Sequence, residues 1–270
     1  VLLGEINNKE SEKMCPGKII AIANQKGGVG KTTSAVSLAA ALERKKKKIL
    51  LVDSDPQGNA TSGYGVRQSD CKSQLYHCYT QDVPVKTVLI VPNQKRNLTI
   101  LPSGIDLSAA EMELFQMEKR EYVLKTMLEP LREEYDFILI DCPPSLGLLT
   151  VNSLTAADSV LIPMQCEYFA LEGLSQLVST IRSVKKSLNK NLYIEGLLLT
   201  MFDKRNKLTF QVEDELKKHF KDQVFRTVIP RNVRLSECPS HGMSVIEYDV
   251  KSTGAQAYIK LANEFLRIQN

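Results

Sequence analysis

Asn24-Gln25-Lys26-Gly27-Gly28-Val29-Gly30-Lys31-Thr32-Thr33 is the stretch on which the reading of this chain turns. The apolar run Lys18–Asn24 leads into it and reads as a buried strand. Thr32–Glu43 follows, with Val36, Ala39 and Ala40 on one helical face. Strand, glycine-rich turn and a helix opening on Lys-Thr is the local order that phosphate binding requires. Gly27, Gly28 and Gly30 permit backbone torsions that bring N–H groups onto phosphate oxygens, and the helix turns its positive end to the same anion. Lys31 supplies a point charge for the β- and γ-phosphates, and Thr32 offers a hydroxyl to Mg²⁺. The candidate nucleotide contacts are therefore Gly27, Gly28, Val29, Gly30, Lys31, Thr32 and Thr33, with Lys26 at the start of the same loop. The strict pattern G-x-x-x-x-G-K-[ST] fails at its first position, where Gln25 stands.

Working outward, further short apolar runs read as buried strands: Lys48–Asp53, Leu98–Pro102, Phe137–Asp141, Ser159–Pro163, Ile194–Met201 and Val224–Ile229. Helical stretches, including Leu171–Ser187 and Phe210–Phe220, lie between many of them. This alternation predicts an α/β fold, a mostly parallel twisted sheet flanked by helices on both faces. Arg67–Asn97 is the least regular part and is expected to hold loops and short helices. With no Gly/Ser/Pro linker and no repeat, residues 18–270 parse as a single domain behind a flexible leader, 1–17.

Two strands end in acids. Leu50-Leu51-Val52-Asp53-Ser54-Asp55 and Phe137-Ile138-Leu139-Ile140-Asp141 place carboxylates where ligands of open α/β sheets bind, beyond the strands' carboxyl ends. Asp141 is positioned to bind Mg²⁺ through water. Cys142 beside it has no His base nearby and reads as a small packed residue.

Composition narrows the field. Trp is absent, which argues against carbohydrate binding, and the net charge is only +4. Between Arg182 and Arg234, however, basic residues outnumber acidic ones by about two to one. The six cysteines form no CxxC pair, a pattern of reduced thiols rather than a disulfide framework. The spacing of Cys71, His77 and Cys78 matches no standard zinc site. No apolar run is long enough to span a bilayer.

Three segments, in this order, carry a family likeness: Lys-Gly-Gly-x-Gly-Lys-Thr-Thr at Lys26–Thr33, V-D-x-D-P-Q-G-N-A-T at Val52–Thr61, and Asp141-Cys142-Pro143-Pro144-Ser145 continuing to Gly147. Together they resemble the ParA/Soj family of bacterial chromosome and plasmid partition ATPases, in the ParA/MinD superfamily of P-loop proteins with a deviant Walker A motif. Glu167–Gly173, Thr200–Asp203 and Ile229–Glu237 also match, so the likeness covers roughly Lys18 to Phe265.

The resemblance implies an ATP hydrolase, slow on its own, with ATP and Mg²⁺ as cofactors. It assigns catalytic roles to Lys26, Lys31 and Asp55, with Lys26 reaching across a nucleotide-sandwich homodimer to the partner's phosphates. Thr32, Asp55 and Asp141 become the metal site, the acids through water, with Asp53 supporting the metal shell. Met201, Pro230, Arg231 and Asn232 frame the adenine. Non-specific DNA binding falls to Arg231, Arg234, Arg205, Arg182 and Lys185. The implied partner is a ParB/Spo0J-type protein that stimulates hydrolysis, and the implied place is the bacterial cytoplasm, on the nucleoid. With 17 residues ahead of the first strand, no sequence-specific helix-turn-helix reading is expected.

The principal alternative is a MinD-like ATPase of cell division or positioning that acts on membranes. It requires a basic amphipathic C-terminal helix. Ala255–Asn270 is amphipathic but carries only Lys260 and Arg267, so docking onto the core is expected and no stable membrane anchor. A metabolic enzyme of the same fold is the other alternative. An iron–sulfur reductase needs a cysteine pair that is missing here.

Overall fold

Six short, almost wholly apolar runs form the strands β1 Lys18–Ile22, β2 Ile49–Asp53, β3 Leu98–Leu101, β4 Phe137–Asp141, β5 Ser159–Gln165 and β6 Tyr193–Thr200. β2 and β4 are buried at every position, as strands covered on both faces must be. The computed structural model describes residues 16–92, 97–167 and 170–269. Most of the expected leader, and Tyr168 and Phe169 of the Glu167–Gly173 match, lie outside them.

The strands hydrogen-bond in the order β3-β2-β4-β1-β5-β6, and every pairing is parallel. The sheet is thus wholly parallel rather than mostly so. Eleven α-helices are described: α1 Lys31–Arg44, α2 Asn59–Gly63, α3 Leu75–Thr80, α4 Leu107–Leu114, α5 Val123–Leu128, α6 Leu148–Ala156, α7 Ala170–Ser187, α8 Lys207–Phe220, α9 Arg234–Glu237, α10 Val245–Tyr248 and α11 Thr253–Gln269. They make two apolar layers. α1, α2, α10 and α11 bury Leu38, Leu42, Ala60, Val245, Tyr258 and Phe265 against one face. α3 to α8 bury Leu75, Leu107, Leu128, Leu154, Leu177 and Leu216 against the other. Small residues at Ala35, Ala39, Ala40 and Ala41 let α1 lie close to the sheet.

The expectation of a strand at Val224–Ile229 is corrected. The segment follows the outer edge of β6 but makes only isolated parallel bridges, Leu197 with Val224 and Phe202 with Pro230. One cause is visible. The Glu264 carboxylate takes the N–H groups of Arg226 and Thr227, at 2.7 and 2.9 Å, and the Thr227 N–H is the one a ladder to β6 would need. Arg67–Thr87 holds short helical pieces, Gln68–Asp70, Leu75–Thr80 and Val85–Thr87, in keeping with its irregular sequence.

Register places the chemistry. Ile22 pairs with Asp141, and Asp53 pairs with Asp141 in the next ladder. The turn after β1 therefore opens beside both acidic strand ends.

Candidate active site

The turn between β1 and α1 is held from three sides. Asn24 donates to the Pro163 carbonyl at 2.8 Å and accepts from the Lys26 N–H at 3.0 Å. Thr200, at the end of β6, donates to the Val29 carbonyl at 2.7 Å. Gly28 and Gly30 take φ of 74° and 87°, the left-handed region that side chains resist, and Gly30 opens α1. Lys31 is buried and donates to the Lys26 carbonyl at 3.0 Å. Burial lowers its pKa, while Asp141, Cys142 and Asp55 act to keep it charged.

Gly27, Gly28, Gly30, Lys31, Thr32, Thr33 and Asp55 line one cavity of about 300 Å³, with Gln57, Asn59, Pro144 and Met201. A second cavity, about 120 Å³, shares Gly30, Thr33 and Met201 with it and continues to Pro230, Arg231 and Asn232. Phosphate-side and base-side candidates, far apart in sequence, thus line two adjoining spaces. Met201 itself takes φ of 49°, unusual for a side chain of its length, at the point where the two spaces meet.

Asp141 is fully buried, and neither carboxylate oxygen has a hydrogen bond of normal geometry. Burial pushes its pKa well above the carboxylate range, and Asp53 and Asp55 add repulsion. Thr32 and Lys31 pull the other way. A buried acid short of donors, beside a threonine hydroxyl and a lysine, suits a divalent cation that brings its own water ligands. Among the described residues no group of three His, Cys, Asp or Glu side chains forms a closed metal cage, in line with a site completed by phosphate and water. Of the three residues expected at the metal, Thr32 and Asp55 line the phosphate cavity and Asp141 lies within electrostatic reach of both.

Asp53, expected to support the metal shell, is bound within the chain. Its Oδ2 accepts from the Thr61 N–H and hydroxyl, both at 2.7 Å, and its Oδ1 accepts from the Asp55 N–H at 3.3 Å. Both oxygens are committed to the chain rather than to a metal shell. Burial raises its pKa to about 6 against those bonds. Ser103, which sequence reasoning missed, joins the same network. The only sequence signal for it was its place directly after the strand Leu98–Pro102.

Lys26 does not line the phosphate cavity. Its ammonium pairs with Glu167 of the same chain, both side chains about half exposed. Of the candidate DNA contacts, Arg231 lies on the base-side cavity. Arg205 pairs with Asp203 at 2.8 Å, and Arg234 pairs with Glu237 at 2.7 Å and Asp249 at 3.4 Å. Arg182 and Lys185 stand exposed on α7, in the layer opposite α10 and α11. The five are therefore not one cluster.

Comparison with known proteins decides the family. The chain is 56% identical over 248 residues to the sporulation initiation inhibitor protein Soj of Bacillus subtilis, covering 92% of this chain and 98% of that protein. It is 54% identical over 251 residues to the chromosome partitioning protein ParA of Myxococcus xanthus, covering 93% and 88%. The chain belongs to the ParA/Soj family. Residues 17–194 also match the family described as AAA domain. Among solved structures, cobyrinic acid a,c-diamide synthase of Mycobacterium smegmatis, with ADP and magnesium bound, superposes with a TM-score of 0.82. It is 36% identical, over 94% of this chain and 95% of that one. The fold is that of the P-loop proteins of the ParA/MinD type, and the chain is a ParA/Soj-type ATPase.

Proposed function

We propose that this chain uses ATP and Mg²⁺ to switch between monomer and homodimer, binds DNA non-specifically as the dimer, and thereby segregates DNA in the bacterial cytoplasm, on the nucleoid. The observation that carries this reading is the split between its two loop lysines. Lys31 is buried in the phosphate cavity, whereas Lys26 stands half exposed outside it. A cation held away from its own cradle is placed to serve another.

In this reading the N–H groups of Gly27 to Thr33 and the Lys31 ammonium hold the β- and γ-phosphates, while Met201, Pro230, Arg231 and Asn232 border the adenine. Mg²⁺, when bound by Thr32, and by Asp55 and Asp141 through water, neutralises charge on the phosphates. Asp55 orients the water that attacks the γ-phosphorus, giving ADP and phosphate. Lys26 leaves Glu167 and crosses to the partner's γ-phosphate, which is the contact that favours the dimer. Transition-state charge is completed only in trans, so basal turnover is slow. A ParB/Spo0J-type protein accelerates it, and ADP releases the subunits.

DNA binding rests on phosphate neutralisation by exposed cations. Arg231→Glu and Arg234→Glu proteins, tested by gel shift on duplexes of unrelated sequence with ATP and Mg²⁺, lose affinity by about tenfold or more. Unchanged affinity removes both residues from the interface.

Support for the membrane-acting alternative is weak at the element it needs. Tyr258, Leu261, Ala262 and Phe265 of α11 are buried against the sheet, so its apolar face is already covered. No helix among the described residues is long and apolar enough to cross a membrane. Co-sedimentation with anionic liposomes separates the readings: the protein stays in the supernatant with ATP as with ADP.

A further inference from the structure

Three side chains from three segments of the chain close a ring of hydrogen bonds on the Asp55 backbone. Asp53 at the end of β2 accepts from the Asp55 N–H at 3.3 Å, and from the N–H and hydroxyl of Thr61 in α2 at 2.7 Å each. The Thr61 hydroxyl, having donated to Asp53, accepts from the Ser103 N–H at 3.0 Å. Ser103, beyond β3, returns its own hydroxyl to the Asp55 carbonyl at 2.9 Å. Asp55 is thus gripped at both its N–H and its C=O. Its Oδ1 accepts from the Gln57 N–H at 2.9 Å, and the residue lines the phosphate cavity.

We propose that Thr61 and Ser103 are positioning residues that fix the Asp55 carboxylate for attack of water on the γ-phosphate. This rests on the reading of Asp55 as the group that orients that water. Neither residue lines the phosphate cavity. Ser103 follows β3, which is separated from β1 and its loop by β2 and β4. Their effect on the reaction therefore runs through Asp55. The ring is also dry: Asp53, Thr61 and Ser103 have 0% exposure, and Asp55 has 6%. No water stands ready to replace a deleted hydroxyl; the Gly58 N–H still bonds the Asp55 carbonyl at 2.9 Å, so removing one loosens the grip on the Asp55 backbone rather than abolishing it. A hydroxyl that both donates and accepts is what position 61 requires, and Thr61 supplies it in a single atom. Valine has the same shape and lacks it. Serine keeps it and drops only a methyl group.

The test compares Thr61→Val, Thr61→Ser and Ser103→Ala with wild type and with Asp55→Ala. Four quantities are measured: basal kcat, KM for ATP, dimer formation with a non-hydrolysed ATP analogue, and thermal midpoint. Displacement of a water-orienting group by about an ångström lowers turnover by roughly a hundredfold. Thr61→Val is expected to lose kcat on that order at unchanged KM, still to dimerise with the analogue, and to hold its ATP-loaded dimer longer. Thr61→Ser restores turnover to within a few-fold, and Ser103→Ala falls between. Wild-type kcat in Thr61→Val, or a loss that serine fails to restore, overturns the proposal. So does loss of analogue-driven dimerisation in parallel with kcat, which marks a merely structural role. If Thr61→Val does not fold, Ser103→Ala decides: lowered kcat with intact dimerisation supports the ring, and unchanged kcat refutes it. Asp55→Ala keeps the two readings apart. Normal turnover there removes Asp55 itself from hydrolysis, whereas a dead Asp55→Ala beside an active Thr61→Val removes only the ring.

Discussion

Cys142 sits between the Mg²⁺ candidate Asp141 and a proline, a place where a reactive thiol has consequences for nucleotide chemistry. It is inert by construction. Burial pushes its thiol up to about 12 against a hydrogen bond with Ser153, and its Sγ donates weakly to the Ile140 carbonyl at 3.8 Å. Cys78, Cys166 and Cys238 are also buried, and burial raises them to about 11, 12 and 11. Cys71 is the half-exposed member of the described set. Because the thiolate is the species that reacts, iodoacetamide at neutral pH followed by peptide mapping labels Cys71 first among the described cysteines and leaves Cys142 unmodified. Rapid labelling of Cys142 in folded protein contradicts the packed-residue reading. Legibility at this scale follows chemistry. That Lys31, Thr32, Asp55 and Asp141 meet at one end of the sheet was readable, because each stands at a fixed offset from a strand end or a glycine turn. Ser103 was not, since a serine after a strand is common and its partners are decided only by the three-dimensional return of β3 beside β2. The partners of Asp53 were hidden for the same reason. Its acid is explicit in sequence, but the hydroxyl that occupies it lies eight residues on.

At the scale of elements, the C-terminal helix is tied down at both ends of the sheet. Near the phosphate loop, Tyr258 of α11 and Ser34 of α1 share a hydrogen bond of 3.0 Å. At the far end, buried Glu195 accepts from Lys18 at 2.6 Å, Ser159 at 2.5 Å and Gln269 at 2.6 Å, joining β1, β5, β6 and α11. Removing its carboxylate takes the acceptor from three donors, one of them a partly buried ammonium. Glu195→Ala is expected to lower stability by about 3 kcal/mol, and Phe265→Ala by about 4 kcal/mol through the cavity it leaves. Urea unfolding followed by circular dichroism measures both. A loss below about 1 kcal/mol in both proteins contradicts docking of α11 as part of the core. The amphipathic pattern of this helix was legible, and so were six strands, because buried apolar runs bounded by polar turns leave few alternatives. Val224–Ile229 was misread as a strand. Its residues are apolar enough, but the competition of Glu264 for its N–H groups comes from a helix about 35 residues downstream, beyond the reach of local pattern.

For the molecule as a whole, the claim is a two-state switch. Each subunit offers a complete phosphate cradle, a paired base-side cavity and one cation, Lys26, turned away from both. Closing two such subunits exchanges a half-exposed contact with Glu167 for a contact with a phosphate. Exposed ion pairs contribute about 1 kcal/mol or less, so little holds Lys26 at home once the triphosphate is present. On the proposed reading, dimerisation would double the cationic surface offered to DNA, since two linked weak sites bind far more tightly than one. The partition role depends on this step, since a permanently single or permanently paired protein has no cycle to drive. The deciding measurement is the molar mass in solution by light scattering with Mg²⁺ and saturating ATP or ADP, for wild type and for Lys26→Ala. The account predicts a doubled mass for wild type with ATP, a single subunit with ADP, and a single subunit for Lys26→Ala with either nucleotide although it still binds both. Wild-type protein that remains single while loaded with ATP and Mg²⁺, or a Lys26→Ala protein that pairs as wild type does, contradicts it.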